Sequence, residues 1–169
     1  ELNVTQAGDL VVRSLTLDSG DVVIVVEGDD TVDGDLVIQS LAGTGRNLTI
    51  FTSGSISFND ADPAAMESVT LVAGGSITGT LNAKTLNLQA GGSVDLLNKQ
   101  SLVVSQLDAG GAAINLRAEG NLTLDNSVSV AGTAALNLQA TSGNLLLNFG
   151  VASGTGTVNL SASNNVVMA

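Results

Sequence analysis

The sequence predicts an all-β chain wound as a right-handed parallel β-helix, a solenoid with three strands per coil and seven to eight coils of about 22 residues. Three observations predict it. A unit of strand, glycine corner and strand recurs along all 169 residues. Its strands alternate apolar with polar side chains, the period of a half-buried strand. Thr, Ser, Asn, Val and Gly dominate, with one Pro and 2% aromatic residues, which is β composition.

The clearest unit is LNLQATSGNLLL, Leu136 to Leu147. Leu136 and Leu138 face one way, Asn137 and Gln139 the other, and Leu145 and Leu147 resume the apolar face after a Ser-Gly-Asn corner. Copies begin at Leu2, Val22, Leu48, Val69, Leu86, Ile114 and Val158. A glycine lies six residues after the first apolar position at Gly8, Gly28, Gly54, Gly75, Gly92 and Gly120. Gly143 falls one residue later, and Asn164 takes the place in the last copy. Gly, and less readily Asn, adopts the positive φ of a sharp corner, so this pattern reads as a repeated backbone bend.

The spacing of the copies is uneven, narrowest from Val69 to Leu86 and widest from Leu86 to Ile114. A left-handed β-helix keeps a hexapeptide beat of about 18 residues per coil, and propeller blades need about 40, so neither fits. The leucine-rich consensus is absent. Stacking in phase would place Leu48, Val69, Leu86, Ile114, Leu136 and Val158 in one inward ladder. Ile50, Leu71, Leu88, Leu116, Leu138 and Leu160 would form the next. Ala73, Ala90, Ala118, Ala140 and Ala162 would line a narrow corner, and Asn87, Asn115, Asn137 and Asn159 an outward polar ladder. Variable loops then fall between the second strand and the next copy, with Asn59 to Pro63 one of them and Leu97 to Ala113 the longest.

The chain reads as a single β-helix domain over 1–169, less regular and acidic over 1–47 and regular over 48–169. With no Trp, Tyr, His or Cys, the core must be built from Val, Leu, Ile and Ala. Net charge is −11, from 5 Lys and Arg against 16 Asp and Glu. That balance argues against a nucleic-acid partner, because phosphate binding needs clustered cations. No run has the length of a membrane-spanning helix, so membrane insertion is not expected. No signal peptide is visible and Glu1 is not an initiator Met, so a processed product or a piece of a longer shaft is expected.

Candidate chemistry is sparse. Without His and Cys, Ser–His and Cys–His nucleophile systems are excluded within the chain, and no enzyme is expected. The nearest carboxylate pair, Asp60 and Asp62, reads as a turn-forming loop, and Lys84, Lys99 and Arg117 fall in different coils. Nine of the 16 acidic residues lie in positions 1–35. In the loop EGDDTVDGD, the carboxylates Asp29, Asp30, Asp33 and Asp35 are the candidate metal ligands, hard oxygen donors of the kind that hold Ca²⁺. Their spacing is not that of an EF-hand. Phe51, Phe58 and Phe149 share no rung position, against an aromatic lectin platform. The outward Thr70, Asn87, Asn115 and Asn137 form no regular Thr file of the ice-binding kind. The sequons at Asn3, Asn47, Asn121 and Asn159 read as strand residues.

The units LNLQAGGSVDL, INLRAEGNLTL and LNLQATSGNLLL resemble the degenerate haemagglutinin-type repeats of large secreted bacterial exoproteins, typified by filamentous haemagglutinin and other two-partner-secretion adhesins. The resemblance covers nearly the whole chain at the level of repeat style. It implies a right-handed β-helical shaft, exported unfolded and displayed at, or released from, the bacterial cell surface. The Asn-Pro-Asn motif of that family's secretion domain is absent, so the shaft and not the export signal is implied. The expected role is structural and adhesive, with loops presented to a host-cell or abiotic surface. A head-to-tail fibre or biofilm-matrix subunit, with like subunits as partners, is the first alternative, and a fragment of a polysaccharide-active β-helical enzyme the second.

Overall fold

A strand with one apolar face must bury it against another layer, and in a solenoid that layer is the opposite wall of the same coil. The computed structural model describes residues 2–17, 20–29, 33–43 and 46–169. Among the described residues there is no helix, and every strand pairing is parallel. The chain is a parallel β-helix.

Two long sheets form its walls. The first has nine strands, stacked in the order Leu2–Ala7, Val22–Glu27, Asn47–Thr52, Met66–Ala73, Ala83–Ala90, Leu102–Asp108, Leu122–Leu124, Leu145–Leu147 and Val166–Met168. The second has eight, in the order Leu10–Val12, Leu36–Ile38, Ile56–Phe58, Ile77–Leu81, Val94–Asn98, Ile114–Ala118, Leu136–Ala140 and Val158–Ala162. Two-stranded third walls occur near either end, Leu15–Leu17 with Leu41–Gly43 and Val128–Val130 with Val151–Ser153. The three-strand coil expected from the sequence is therefore seen towards the ends. In the middle, the third wall merges into the long strands Met66–Ala73 and Ala83–Ala90, whose inward positions slip once from period two to three, at Met66 to Val69 and Ala83 to Leu86.

Paired residues trace the winding. From Leu2 the partners run through Val22, Leu48, Val69, Leu86, Val104, Leu124 and Leu147 to Met168, one turn per step. Those eight turns, at about 4.8 Å each, give a rod of about 38 Å. The inward file of the second sheet, Leu36, Ile56, Ile77, Val94, Ile114 and Leu136, is fully buried. Among the described residues, Phe58 is the only aromatic in the core. The rung above it offers Gly79 at the paired position, where a Cβ would lie 2.8 Å from the Phe58 carbonyl carbon.

The ladders expected from in-phase stacking are corrected at one place. Leu48, Val69 and Leu86 do stack, but in the first sheet, whereas Ile114, Leu136 and Val158 stack in the second, above Val94. Leu116 lies between Leu96 and Leu138, while Leu88 pairs with Leu107 in the other wall. The alanine ladder divides in the same way, as does the outward Asn ladder: Asn115, Asn137 and Asn159 are stacked, and Asn87 sits between Thr70 and Gln106. The cause is Leu97 to Ala113. It is not a loop insertion, because Leu102–Asp108 inside it is a complete first-sheet strand with a bulge opposite Leu86/Asn87. The wide interval between the Leu86 and Ile114 copies spans one turn plus one wall. From there on each unit runs from the second sheet to the first instead of the reverse.

The corner glycines also act differently from the expectation. Gly8 does have positive φ, but Gly54, Gly75, Gly92, Gly120 and Gly143 do not. They are required by close stacking. A Cβ on Gly92 would meet Ser76 Oγ at 2.6 Å, and one on Gly143 would meet Asn121 Oδ1 at 2.5 Å. The space is taken by a side-chain acceptor from the preceding coil. That acceptor bonds the backbone N–H of the residue after the glycine, so the coils are joined by a polar spine. Asp9 Oδ1 accepts from Asp35 N (2.9 Å), Asp35 Oδ1 from Ser55 N (2.6 Å), Ser55 Oγ from Ser76 N (3.2 Å) and Ser76 Oγ from Ser93 N (3.1 Å). Past the change of phase the spine continues at the other corner. There Ser101 Oγ accepts from Asn121 N (3.0 Å), Asn121 Oδ1 from Asn144 N (2.8 Å) and Asn144 Oδ1 from Asn165 N (3.2 Å). The repeated dipeptide is thus glycine followed by Asp, Ser or Asn. In the second coil it is Gly34-Asp35, not Gly28, with the acidic segment inserted before it.

Candidate functional site

The acidic corner begins where Val22–Glu27 leaves the first sheet and ends at the spine residue Asp35. Gly34 closes it. Its φ is 74°, and a Cβ there would lie 2.5 Å from Gly28 N and 2.8 Å from Ser53 Oγ. The next coil clamps both sides of this corner. Ser53 Oγ accepts from Gly28 N at 2.5 Å and donates to the Asp33 carbonyl at 2.7 Å. The buried Thr52 hydroxyl donates to the Gly34 carbonyl. Glu27, Gly28, Asp29, Asp33 and Ser53 line an open depression of about 550 Å³.

Of the four carboxylates expected to share a metal, three belong to the described residues, and these sit at different places. Asp35 is committed to the spine, with Oδ1 on Ser55 N. Asp29 and Asp33 border the depression, and Asp30 lies outside the described residues. Among the described residues no group of three or more Asp or Glu side chains converges closely enough to hold a metal ion.

The remaining candidates are explained by local bonding. Asp60 accepts from Leu41 N through Oδ2 (2.8 Å) and from Asp62 N through Oδ1 (3.0 Å), the bonding of a turn-forming Asp. Lys84 pairs with Glu67 (2.6 Å), Lys99 with Glu119 (3.0 Å) and Arg117 with Asp95 (3.5 Å), each pair joining adjacent coils. Asn121 is a spine acceptor, and Asn159 donates its amide to Asn137 Oδ1 at 2.7 Å.

Sequence reasoning passed over Asn98. It is 2% exposed at the end of Val94–Asn98 and makes three bonds to backbone: Oδ1 accepts from Ala83 N (2.7 Å), and Nδ2 donates to Ala83 O (2.9 Å) and Gln100 O (3.0 Å). The amide copies a peptide group and closes the corner where the strand Ala83–Ala90 starts. Its only sequence signal is a polar residue where Leu81 and Ala118, its register partners, are apolar.

Comparison with protein-family models, with curated proteins and with solved structures returns no match for this chain. The class defined by the structure is the parallel β-solenoid, a fold that does not by itself specify an activity.

Proposed function

We propose that the chain is a non-catalytic shaft of a secreted or surface-displayed bacterial adhesin or exoprotein, which presents corner loops for attachment to a host-cell or abiotic surface. The observation that carries this reading is where the additional residues go. The longest first-sheet turn, from Val22 to Leu48, and the shortest, from Val69 to Leu86, are both closed by parallel pairing within the same long sheet. What it adds is the acidic corner and the third-wall strand Leu41–Gly43. A fold that keeps its two long walls while its corners and third wall vary is suited to display. The side chains weighed for acid–base chemistry, Asp60, Lys84, Lys99 and Arg117, are bonded to the scaffold.

The test is adhesion of beads coated with the chain to epithelial cells and to glass, beside beads coated with the chain whose residues 29–33 are replaced by a short Gly-Ser turn. Adhesion that falls with the corner removed is expected. Binding no better than that of an unrelated acidic protein would refute the adhesive role, and turnover in a screen of neutral and acidic polysaccharides would refute the non-catalytic one.

A further inference from the structure

The outward face of the first sheet carries an apolar cluster that includes the exposed Phe51. One outward file reads Thr5, Val25, Phe51, Val72 and Gln89 across five coils, and the file beside it contributes Val23 next to Thr49. Val23, Val25, Phe51 and Val72 therefore form one apolar patch, with Phe51 42% exposed at its centre. The equivalent outward file of the second sheet begins Val11, Val37 and Ser57, turns polar at Thr78, Asp95, Asn115, Asn137 and Asn159, and holds no aromatic side chain. Two depressions bracket the patch along the strand direction. The acidic one begins two residues beyond Val25 and Phe51, at Glu27 and Ser53, and includes Asp33. A polar one of about 720 Å³ lies on the opposite side, lined by Asp21, Val23, Arg46, Asn47, Thr49 and Thr70 among others.

We propose that this face docks an extended, basic peptide segment of a partner protein, which lays an aliphatic or aromatic side chain against Phe51 and a Lys or Arg into the Glu27/Asp33 depression. Charge and size select that occupant. Carboxylates at the edge of the patch favour a cation, and the chain's net charge of −11 opposes a second copy of itself. A stable interface between folded proteins buries about 800 Å² on each partner, more than four side chains supply, whereas a strand-like segment needs one anchor and one or two polar contacts. The apolar anchor belongs to the wall and the Glu27/Asp33 depression to the acidic corner, so Phe51→Ser tests this surface separately from removal of residues 29–33 in the adhesion assay.

The probe is a fluorescein-labelled short peptide of alternating Arg and Leu, titrated into the full chain and followed by anisotropy. Glu/Leu and Arg/Ser peptides serve as controls. Saturable binding of the Arg/Leu peptide alone is expected. Phe51→Ser should weaken it at least 10-fold, the Glu27→Gln/Asp33→Asn double variant should weaken it and flatten its salt dependence, and Phe149→Ser, at a second exposed aromatic, should leave it unchanged. Circular dichroism checks that the Phe51→Ser chain keeps its β signal. Equal binding by Phe51→Ser, which would mean general attraction to an acidic rod, overturns the proposal. So does the absence of saturation, or a dimer of the wild-type chain that Phe51→Ser dissolves.

Discussion

Replacing Asn98 by Leu keeps the branched outline of the side chain, with somewhat more bulk, but removes every bond it makes. Ala83 is fully buried, so its N–H and C=O would lose their partner where water cannot replace it. Each orphaned buried group costs about 1–3 kcal/mol, and loss of the bond to Gln100 O adds about 1 kcal/mol. Added apolar burial by Leu recovers part of this, about 1–2 kcal/mol, leaving a net destabilisation of about 1–6 kcal/mol. Urea unfolding at pH 7 measures it, with amide exchange at Ala83 as a local readout, because a solenoid can open coil by coil. Asn98→Asp separates bonding from shape. Its carboxylate still accepts from Ala83 N, but its other oxygen faces the carbonyls of Ala83 and Gln100, which requires protonation. The folded state then raises the introduced carboxyl above its unfolded value, so the penalty holds at neutral pH and shrinks as pH falls through the raised value. A loss under about 0.5 kcal/mol for Asn98→Leu, smaller than a typical single hydrogen bond, with Ala83 still protected, would show that the amide does not close this corner.

Other expectations follow from the register and the spine. Double-mutant cycles should couple Leu116→Ala with Leu138→Ala by about 0.5 kcal/mol or more, whereas Leu88→Ala and Leu116→Ala should add within about 0.3 kcal/mol; the opposite ranking would restore a single in-phase ladder. Gly79→Val places a β-branched side chain at φ 118°, against the backbone of Phe58. It should cost at least about 2 kcal/mol in thermal or urea melts. Asn144→Ala removes the acceptor of Asn165 N, so amide exchange at Asn165 should accelerate while exchange at Ser93, on the other spine, stays unchanged. Lys84→Ala, which breaks a pair whose side chains are 57% and 49% exposed, should shift stability by less than about 1 kcal/mol.

Most of the fold was legible because its signals are local. Period-two alternation marks LNLQA at Leu136–Ala140 as a one-faced strand, and recurrence of the unit implies stacking. Leu15–Leu17, the acidic corner and Leu36–Ile38 all fall where the pattern puts them. The wall to which each unit belongs was not legible, because both strands flanking a corner have the same apolar-polar-apolar form. INLRAEGNLTL reads the same in either direction of wall-to-wall travel. The one clue was the wide interval from Leu86 to Ile114, and LVVSQLD within it has no glycine–polar pair to mark it as part of a turn. The role of the corner glycines was hidden for another reason: the atom that excludes a Cβ at Gly143 belongs to Asn121, one coil away. At the acidic corner, counting carboxylates identified a loop rich in ligand-type oxygens. Only the folded chain separates Asp35, held by the spine, from Asp33, which borders open solvent.

The strand Leu102–Asp108 divides the shaft into two lengths that carry the polar spine at different corners. A gene duplication or an engineered deletion that begins and ends at paired positions on one side, such as Val69 and Leu86, returns the chain to an identical cross-section and changes only the reach of the rod. The same cut made from Leu86 to Ile114 would join a wall to the wrong wall, turn the following segment to face a different side, and set Ile114 where Leu86 had been. Growth and shortening of such a rod are thus confined to whole turns counted between wall-paired positions, such as Leu86 and Val104, and not between look-alike sequence units.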